Sequence, residues 1–379
     1  MIETWDLEDA ITPDIDFPFA KNAFDLFANS YDCCYIWPEF FCHLKVKETF
    51  TATLGFSTDN YLSKHPNPNS LIKSIGKASH TYTLSLHNAT ITAQNHTVWT
   101  SEFLPIVSRR ADHKNLHYEY DSVKNVLNLM RPDGNPKHLS GSYYLLSDRW
   151  TEGNLYHWTY DSISRLSIFF ELRKIYPDLK LLCINDHNLV FHQEWLRLLG
   201  LSQDVLTYSS HASYCVEHLL YTPRIGLTSP VNMGSHFSKL LEVSGIQPSP
   251  LSLISKNLFI NRRAGPRALV NSGEICCLLK EYHFHQVYLE DYSITGKLLL
   301  SLSCKRLIAI GGSGMFLLSF MKPGSSILEI AHDKSDCPAH LIHSFAVQHN
   351  YGYCVGRHVL NEQIQLDPLI LKACINLMP

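Results

Sequence analysis

Short apolar runs alternate along most of the chain with longer segments whose apolar residues recur at helical spacing. The predicted strands are Ser142–Ser147, Leu179–Asn185, Leu258–Arg263, Phe284–Glu290 and Leu307–Ile310. The predicted helices are His157–Tyr176, Phe191–Gly200, Leu269–Tyr282 and Ile294–Cys304. Strands that alternate with helices in this way predict an α/β fold with parallel sheets covered on both faces.

The N-terminal part of the chain follows a different pattern. Apolar and polar residues alternate at period two from Thr81 to Ile106, which predicts an antiparallel meander with breaks near Asn88 and Asn95. The aromatic-rich stretch before Leu71 has weak periodicity, and whether it shapes a binding site or caps the fold stays open. A stretch with Pro248 and Pro250 predicts a linker. We therefore expect an N-terminal segment with a meander (1–140) and two Rossmann-like domains (141–250 and 251–379).

One βαβ unit, Leu307–Ile330, has a turn of Gly311, Gly312, Ser313 and Gly314 between its first strand and an apolar helix. Glycines let a ligand approach the backbone, and the N–H groups of the first helical turn suit a phosphate. The turn therefore predicts a diphosphate site, although packing alone also places glycines between strands and helices.

Composition narrows the classes of function. The net charge of −3 gives no electrostatic footprint for nucleic acid. The acidic N-terminus is broken by Pro13 and Pro18, and no apolar run has the ~18 residues of a membrane span, so we expect a cytosolic protein. The 11 cysteines include no C-x-x-C and predict reduced core thiols. No zinc-type spacing is present, so neither a metal nor a cofactor is expected.

Three groups of residues are candidates for chemistry. Arg262, Arg263 and Arg267 follow a predicted strand, where guanidinium groups suit a diphosphate; a basic solvated turn is the alternative. His157 and Asp161 lie four residues apart at a helix start, as a general base and its carboxylate would, or as a cap with a core-facing histidine. Glu329 closes a strand and either accepts the hydroxyls of a ribose or faces solvent.

Four segments together resemble glycosyltransferase family 61: Asn154–Leu166, Phe191–Leu201, Leu258–Ile275 and Ile308–Ile330. The family pattern has an N-Y-x-H-W helix start, a strand ending in S-R-R followed by R-x-x-x-N, a G-P-H-G-A-G segment and a closing glutamate. The meander also looks like the N-terminal strands of the family. Four blocks in the same order are more specific than one glycine turn.

The resemblance implies a GT-B architecture, with two Rossmann-like domains facing a cleft, and metal-independent inverting transfer from a nucleotide sugar, usually a UDP-sugar. It implies donor-binding roles for a set of matched residues, with Asn271 orienting an arginine, and catalytic roles for His157 and Asp161. The donor-binding set is Arg262, Arg263, Arg267, Asn271, Gly312, Ser313, Gly314 and Glu329. Gly311 departs from the pattern, which has histidine there, so an inactive or altered member stays open.

The expected function is therefore transfer of a sugar to a hydroxyl of a surface or capsular polysaccharide or a glycolipid, in the cytoplasm. Peripheral association with the inner face of the membrane is left open. The alternative is a non-catalytic subunit that binds sugar nucleotides or glycans within a polysaccharide assembly system. The donor sugar, the acceptor and the oligomeric state do not follow from the sequence.

Overall fold

The chain divides into two compact units, Met1–Cys42 with Ser74–His236, and His43–Lys73 with Phe237–Pro379. A computed structural model describes residues 5–6, 33–36, 82–92, 97–99, 101, 105–107, 135–147, 151, 153–184, 189–208, 212–222, 224–225, 233–247, 256–332 and 339–379. The predicted aromatic segment and linker lie largely outside these residues, as does Asn95.

The first unit is built on one mixed sheet. Its strands are β1 (Trp5–Asp6), β2 (Cys33–Ile36), β3 (Tyr82–Thr92), β4 (Thr97–Trp99), β5 (Pro105–Val107), β6 (Lys137–Leu145), β7 (Lys180–Ile184), β8 (Val205–Tyr208) and β9 (Ser213–Tyr221). They lie in the order β1-β5-β4-β3-β9-β6-β7-β8, with β2 beside β3. Strands β9, β6, β7 and β8 are parallel, whereas β3 is antiparallel to β9. The predicted meander therefore continues the sheet that carries the parallel strands.

The break predicted near Asn88 is wrong, because β3 continues through this residue. Asn88 adopts φ 51°, a left-handed conformation that asparagine tolerates better than most residues. In β6 the register shifts close to Gly141, which has φ 102°. Glu217 of β9 accepts hydrogen bonds from Ser140 Oγ and Gly141 N, both at 2.7 Å. These local irregularities are accommodated within the paired strands, so Asn88 does not end β3.

The long predicted helix is confirmed in position but is not a regular α-helix. It consists of α1 (Leu155–His157), a π-helical stretch (Trp158–Ser162), a 3-10 turn (Ile163–Arg165) and α2 (Leu166–Ile175). The side chain of Asn154 caps its start by accepting from the backbone N–H of Tyr156 at 3.0 Å. Helix α3 (Val190–Leu198) follows β7, and α4 (Met233–Ser244) follows β9.

The second unit is a parallel sheet with one antiparallel edge. Its elements are β10 (Asn257–Ile260), α5 (Ser272–Glu281), β11 (His285–Val287), α6 (Ile294–Ser303), β12 (Arg306–Ile310), β13 (Ser326–His332), α7 (Ala339–Ala346), β14 (Asn350–His358), β15 (Ile364–Gln365) and α8 (Pro368–Leu377). Short 3-10 helices lie at Leu289–Asp291, Ser313–Phe320 and Leu360–Glu362. The strand order is β11-β10-β12-β13-β14-β15, so the predicted parallel sheet is confirmed.

This strand order places a topological switch point between β10 and β12. The chain leaves β10 towards β11 on one side and returns to β12 on the other, as in doubly wound sheets of the order 2-1-3-4-5. Ligands of such sheets bind in the crevice outside the carboxyl ends of these two strands. Alternate residues of β12, Ile308 and Ile310, pack in an apolar cluster with residues of α5 and α8.

The segment after the glycine turn forms a 3-10 helix, Ser313–Phe320, where the pattern predicts an ordinary helix. Every side chain from Met315 to Phe320 is buried, which explains why the segment is mostly apolar instead of amphipathic. The turn therefore leads directly into a short helix that is packed in the interior of the unit.

The expectation of core thiols is confirmed in part among the described residues. Cys183, Cys304, Cys354 and Cys374 are buried free thiols, whereas Cys277 is exposed and is not a core thiol. None of the described helices combines the length and the apolar character needed to cross a membrane.

A buried arginine supports the first unit. Arg165 is fully buried and donates from Nη1 to the carbonyl of Thr222 at 2.9 Å and from Nη2 to that of Leu146. These carbonyls directly follow β9 and β6. Replacing Arg165 with alanine should cost about 3–5 kcal/mol in urea unfolding, because each hydrogen bond from a charged donor is worth ~1.5–3 kcal/mol.

The matched control is Arg173→Ala, which removes a partly exposed guanidinium paired with Asp204 at 2.9 Å. Such pairs contribute under about 1 kcal/mol. Equal destabilisation by the two variants would contradict the supporting role of Arg165.

Candidate functional site

The switch point of the second unit brings the glycine turn next to the arginine loop. Residues Ile260 of β10 and Ala309 of β12 are paired in the sheet, so the segments that follow them emerge side by side. The turn is fixed by hydrogen bonds from Gly311 N to the carbonyl of Ile330 and from Met315 N to that of Gly312, both at 2.9 Å. Sequence motifs about 50 residues apart thus meet at one edge of the sheet.

Two guanidinium groups lie against the backbone of Gly312. A Cβ atom at this position would lie 2.8 Å from Arg262 Nη2 and 3.2 Å from Arg267 Nη1, and its φ of 148° also favours glycine. Among the described residues, neither arginine forms an ion pair with a carboxylate. Burial and the charge of Arg267 lower the pKa of Arg262, against an opposing effect of Glu290. A bound anion would relieve this concentration of positive charge.

The backbone of Arg267 is held in an unusual conformation. Its φ is 65°, and its N–H donates to the carbonyl of Glu362 at 2.7 Å. A left-handed conformation is costly for a residue with a long side chain, so the surrounding structure must enforce it. Nothing in the local sequence indicates this contact, because its partner lies far along the chain.

Asn271 does not hydrogen-bond to an arginine in the described structure. Its Nδ2 donates to the carbonyl of Leu366 at 2.8 Å and to Glu274 Oε2 at 3.0 Å, and its Oδ1 accepts from Leu366 N. The asparagine therefore fastens the segment after β15 to the start of α5. Asn271 thus helps to hold the loop that carries the arginines, while a role in orienting an arginine stays a prediction.

Arg263 faces a different neighbourhood from Arg262 and Arg267. Its Nη2 lies 2.6 Å from Asp291 Oδ2, and its guanidinium lies 4.7 Å from the ring centroid of Tyr288. Its side chain is 57% exposed. The structure therefore places Arg263 at the outer edge of the crevice, beside the segment that follows β11.

Glu329 is buried, so the alternative of a solvent-facing carboxylate is wrong. Its Oε1 accepts from His340 Nδ1 at 2.9 Å, and its Oε2 accepts from the hydroxyl of Tyr351. Burial raises the pKa of Glu329, but the charge of His340, both hydrogen bonds and the charge of Arg267 outweigh it, so the pKa is lowered overall. The carboxylate is therefore ionised and already engaged by two partners.

The carboxylate of Glu329 also explains the glycine at position 311. A Cβ atom on Gly311 would lie 2.4 Å from Glu329 Oε1, closer than any side chain tolerates. A histidine, which the family pattern has here, would require Glu329 to move. Sequence reasoning missed His340 and Tyr351, because neither belongs to a local motif.

The other candidate pair, His157 and Asp161, belongs to the first unit. His157 Nδ1 lies 2.7 Å from Asp161 Oδ2, and the side chains are 35% and 5% exposed. His157 is therefore not a core-facing histidine, and the cap of the helix is Asn154. Asp161 lies in the π-helical stretch, a form frequently found at functional sites. A buried carboxylate thus orients a partly exposed imidazole, which suits a general base.

The described residues contain no cluster of three or more His, Cys, Asp or Glu side chains that could hold a metal ion. The carboxylate of Glu329 beside the turn is engaged by His340 and Tyr351, whereas Arg262 and Arg267 lie at Gly312 and bind anions and not cations. The site as described therefore favours an anionic ligand.

The lowered pKa of Glu329 makes stability depend on pH. A carboxylate with a lowered folded-state pKa stabilises the fold above its unfolded value of about 4.5 and loses this contribution as the pH falls through the folded value. Glu329→Gln should therefore destabilise by about 1–3 kcal/mol at pH 7. The difference from the wild type should shrink below pH 4.5 in thermal melts, with the exposed Glu281→Gln as control. A constant difference at every pH would contradict this linkage.

Part of the chain matches a known protein family. No curated protein sequence matches the chain. Residues 155–328, however, match the model of the family described as Glycosyltransferase 61. The matched range contains both arginines at Gly312, the glycine turn and the His157–Asp161 pair, and it ends one residue before Glu329. The resemblance found in the sequence is thus confirmed by this match over residues 155–328.

Proposed function

We propose that the protein transfers a sugar from a nucleotide diphosphate sugar to an acceptor hydroxyl. The family match supports a glycosyltransferase in general. The observation that carries the proposal further is the pair of guanidinium groups, Arg262 and Arg267, that converge on Gly312 without a carboxylate partner among the described residues. A diphosphate matches both the charge of this pair and its position at the switch point.

In this proposal the second unit binds the donor. Arg262 and Arg267 bind oxygens of the diphosphate, and the backbone N–H groups of Gly312, Ser313 and Gly314 lie beneath it at the start of a 3-10 helix. Arg263, whose guanidinium is paired with Asp291, lies at the edge of this site. Negative charge grows on the diphosphate as it leaves, and fixed positive groups stabilise such charge most strongly in the transition state.

The proposed reaction is a single inverting displacement. A base takes the proton of the acceptor hydroxyl, whose oxygen forms a bond to the anomeric carbon. The bond from that carbon to the diphosphate breaks, and its electron pair leaves with the diphosphate. His157 is the first candidate for the base, because Asp161 orients its imidazole and its side chain is partly exposed. Asp161 is the second candidate.

Four further features of the proposed enzyme follow from the family resemblance. They are a GT-B arrangement of the two units, a UDP-sugar donor, catalysis without a metal, and a polysaccharide or glycolipid acceptor for a cell surface or capsule. We place the reaction in the cytoplasm, with peripheral membrane association where the acceptor is a lipid. The positions of Arg262 and Arg267 are the observation that supports a diphosphate in the donor. The acceptor has to be identified by an activity assay.

A binding panel tests the proposal directly. Calorimetry should show that one of UDP, GDP, CMP and dTDP, or one of their common sugar conjugates, binds to the purified protein equally well with and without a chelator. Binding that a chelator abolishes would overturn the metal-independent form of the proposal. Binding without turnover with any acceptor would favour the non-catalytic subunit. Failure of every nucleotide to bind the folded protein would overturn the donor site.

The two arginines at Gly312 should dominate the affinity for the nucleotide. Arg262→Ala and Arg267→Ala should each weaken binding of the selected diphosphate by about 1–3 kcal/mol in calorimetry, because each removes a charged hydrogen-bond donor. Arg263→Ala should have a smaller effect, since its guanidinium is engaged by Asp291.

Lys280→Ala is the matched control for these variants. It removes the same charge from the last turn of α5, whose other end starts near the arginine loop. If Lys280→Ala weakened binding as much as Arg262→Ala, general electrostatics would explain the affinity and the specific site would be contradicted.

Replacing His157 should lower turnover without changing the affinity for the donor. His157→Ala should lower the release of nucleoside diphosphate in the presence of acceptor by about 100-fold to 10,000-fold, the usual contribution of a general base. Its affinity for the donor should stay that of the wild type. Arg173→Ala serves as the control in the same unit. An active His157→Ala protein would assign the base elsewhere, and Asp161→Asn would then be the next variant to measure.

A further inference from the structure

The segment that follows β11 lies against the candidate donor site. Strand β11 neighbours β10 on the side opposite β12, and Asn261 N donates to the carbonyl of Val287 at 3.1 Å, so the two strands stay together to their carboxyl ends. The short 3-10 helix Leu289–Asp291 comes next. The Cδ1 atom of Leu289 lies 3.1 Å from the Cβ position of Gly314. This 3-10 helix therefore packs directly on the glycine turn.

The three side chains of this 3-10 helix point in different directions, because consecutive residues of such a helix are about 120° apart. Leu289 is buried and faces the glycine turn. Asp291 is engaged, since its Oδ2 lies 2.6 Å from Arg263 Nη2. Glu290 is exposed, and among the described residues its carboxylate takes part in no hydrogen bond or ion pair. The carboxylate of Glu290 is therefore available to a ligand.

The charge of Glu290 acts on one of the two arginines at the glycine turn. It opposes the lowering of the pKa of Arg262, whose guanidinium lies at Gly312. Within the described structure the two side chains form no ion pair, so the carboxylate is near this guanidinium without contacting it. A diphosphate on Arg262 and Arg267 would leave Glu290 beside the part of the ligand that adjoins the phosphates.

The chemistry and the position of this carboxylate suit a ribose. An ionised carboxylate has two acceptor oxygens and no donor, so it can accept from two neighbouring hydroxyl groups. In doubly wound sheets that bind dinucleotides, an acidic residue of the first βαβ unit accepts from a ribose hydroxyl. Here that unit is β10–α5–β11, and Glu290 follows its second strand. Glu329, the other candidate for a ribose, is buried and already accepts from His340 and Tyr351.

We infer that Glu290 binds the ribose of the donor nucleotide by accepting hydrogen bonds from its 2′- and 3′-hydroxyl groups, and that the site therefore selects ribonucleotides over 2′-deoxyribonucleotides. This inference rests on the proposed function, because it assumes that a nucleoside diphosphate occupies the crevice at Gly312. It narrows the class of donor, since a dTDP-sugar has no 2′-hydroxyl group to offer the carboxylate.

Calorimetry of the full chain with UDP and 2′-deoxy-UDP, and with GDP and 2′-deoxy-GDP, tests the inference. In the pair whose ribonucleotide binds, the 2′-deoxy analogue should bind the wild type about 10-fold more weakly, the effect of one hydrogen bond to a charged group.

Glu290→Ala should reduce this ratio of affinities from about 10 towards 1, because the variant and the deoxy analogue remove the same contact. Inorganic pyrophosphate, which has no ribose, should bind Glu290→Ala at least as tightly as it binds the wild type, since the variant removes a nearby negative charge. The matched control is Glu281→Ala, which removes an exposed carboxylate from the last residue of α5 and should keep the full ratio.

The possible failures are distinguishable. If the folded wild type binds neither pyrophosphate nor any of the nucleotides, the proposed donor site and this inference are both overturned. If pyrophosphate binds but neither ribonucleotide does, or if dTDP binds more tightly than both, only this inference is overturned. The same holds if a ribonucleotide binds, Arg262→Ala weakens it and Glu290→Ala keeps the full ratio. If Glu290→Ala weakens a nucleotide sugar but not the nucleotide itself, the carboxylate contacts the transferred sugar and not the ribose, which also overturns the inference.

Discussion

The absence of side chains at Gly311 and Gly312 is the constraint on which the candidate site depends. Each glycine admits a charged group from a different direction: the carboxylate of Glu329 at Gly311, and the guanidinium groups of Arg262 and Arg267 at Gly312. A Cβ atom at either position would displace one of them. The turn connects β12 to the 3-10 helix. It also determines how closely the carboxylate of Glu329 and the guanidinium groups of Arg262 and Arg267 approach each other.

The arginines of the two units have different environments. In the first unit, Arg165 is fully buried and donates to the backbone carbonyls that follow β9 and β6. It therefore stabilises the packing of these strand ends. In the second, Arg262 and Arg267 lie together at the edge of a sheet, and the proximity of like charges is unfavourable without a ligand. Under the proposed function, the partners of these side chains distinguish an arginine that supports the fold from arginines that bind a ligand.

Local pattern was sufficient to predict the elements and insufficient to predict the contacts between them. The strands and helices of the second unit followed from periodicity, because each buries a face set by its own sequence. Asn88 was misread since a polar residue with φ 51° can remain within a strand. The roles of His340 and Tyr351 could not be predicted, because they meet Glu329 from other elements, 11 and 22 residues away.

The fastening of the arginine loop has a consequence for how such proteins diverge. Arg267 is held by Glu362, and the neighbouring Val270 N–H donates to the carbonyl of Ile364, so a segment near the C-terminus forms part of the wall behind the loop. This segment lies beyond residue 328, where the family match ends. Substitutions there would shift the arginine geometry while leaving every recognised motif intact. Under the proposed function, two chains with identical motifs would thus differ in the nucleotide that they prefer, and the motifs alone would not show the difference.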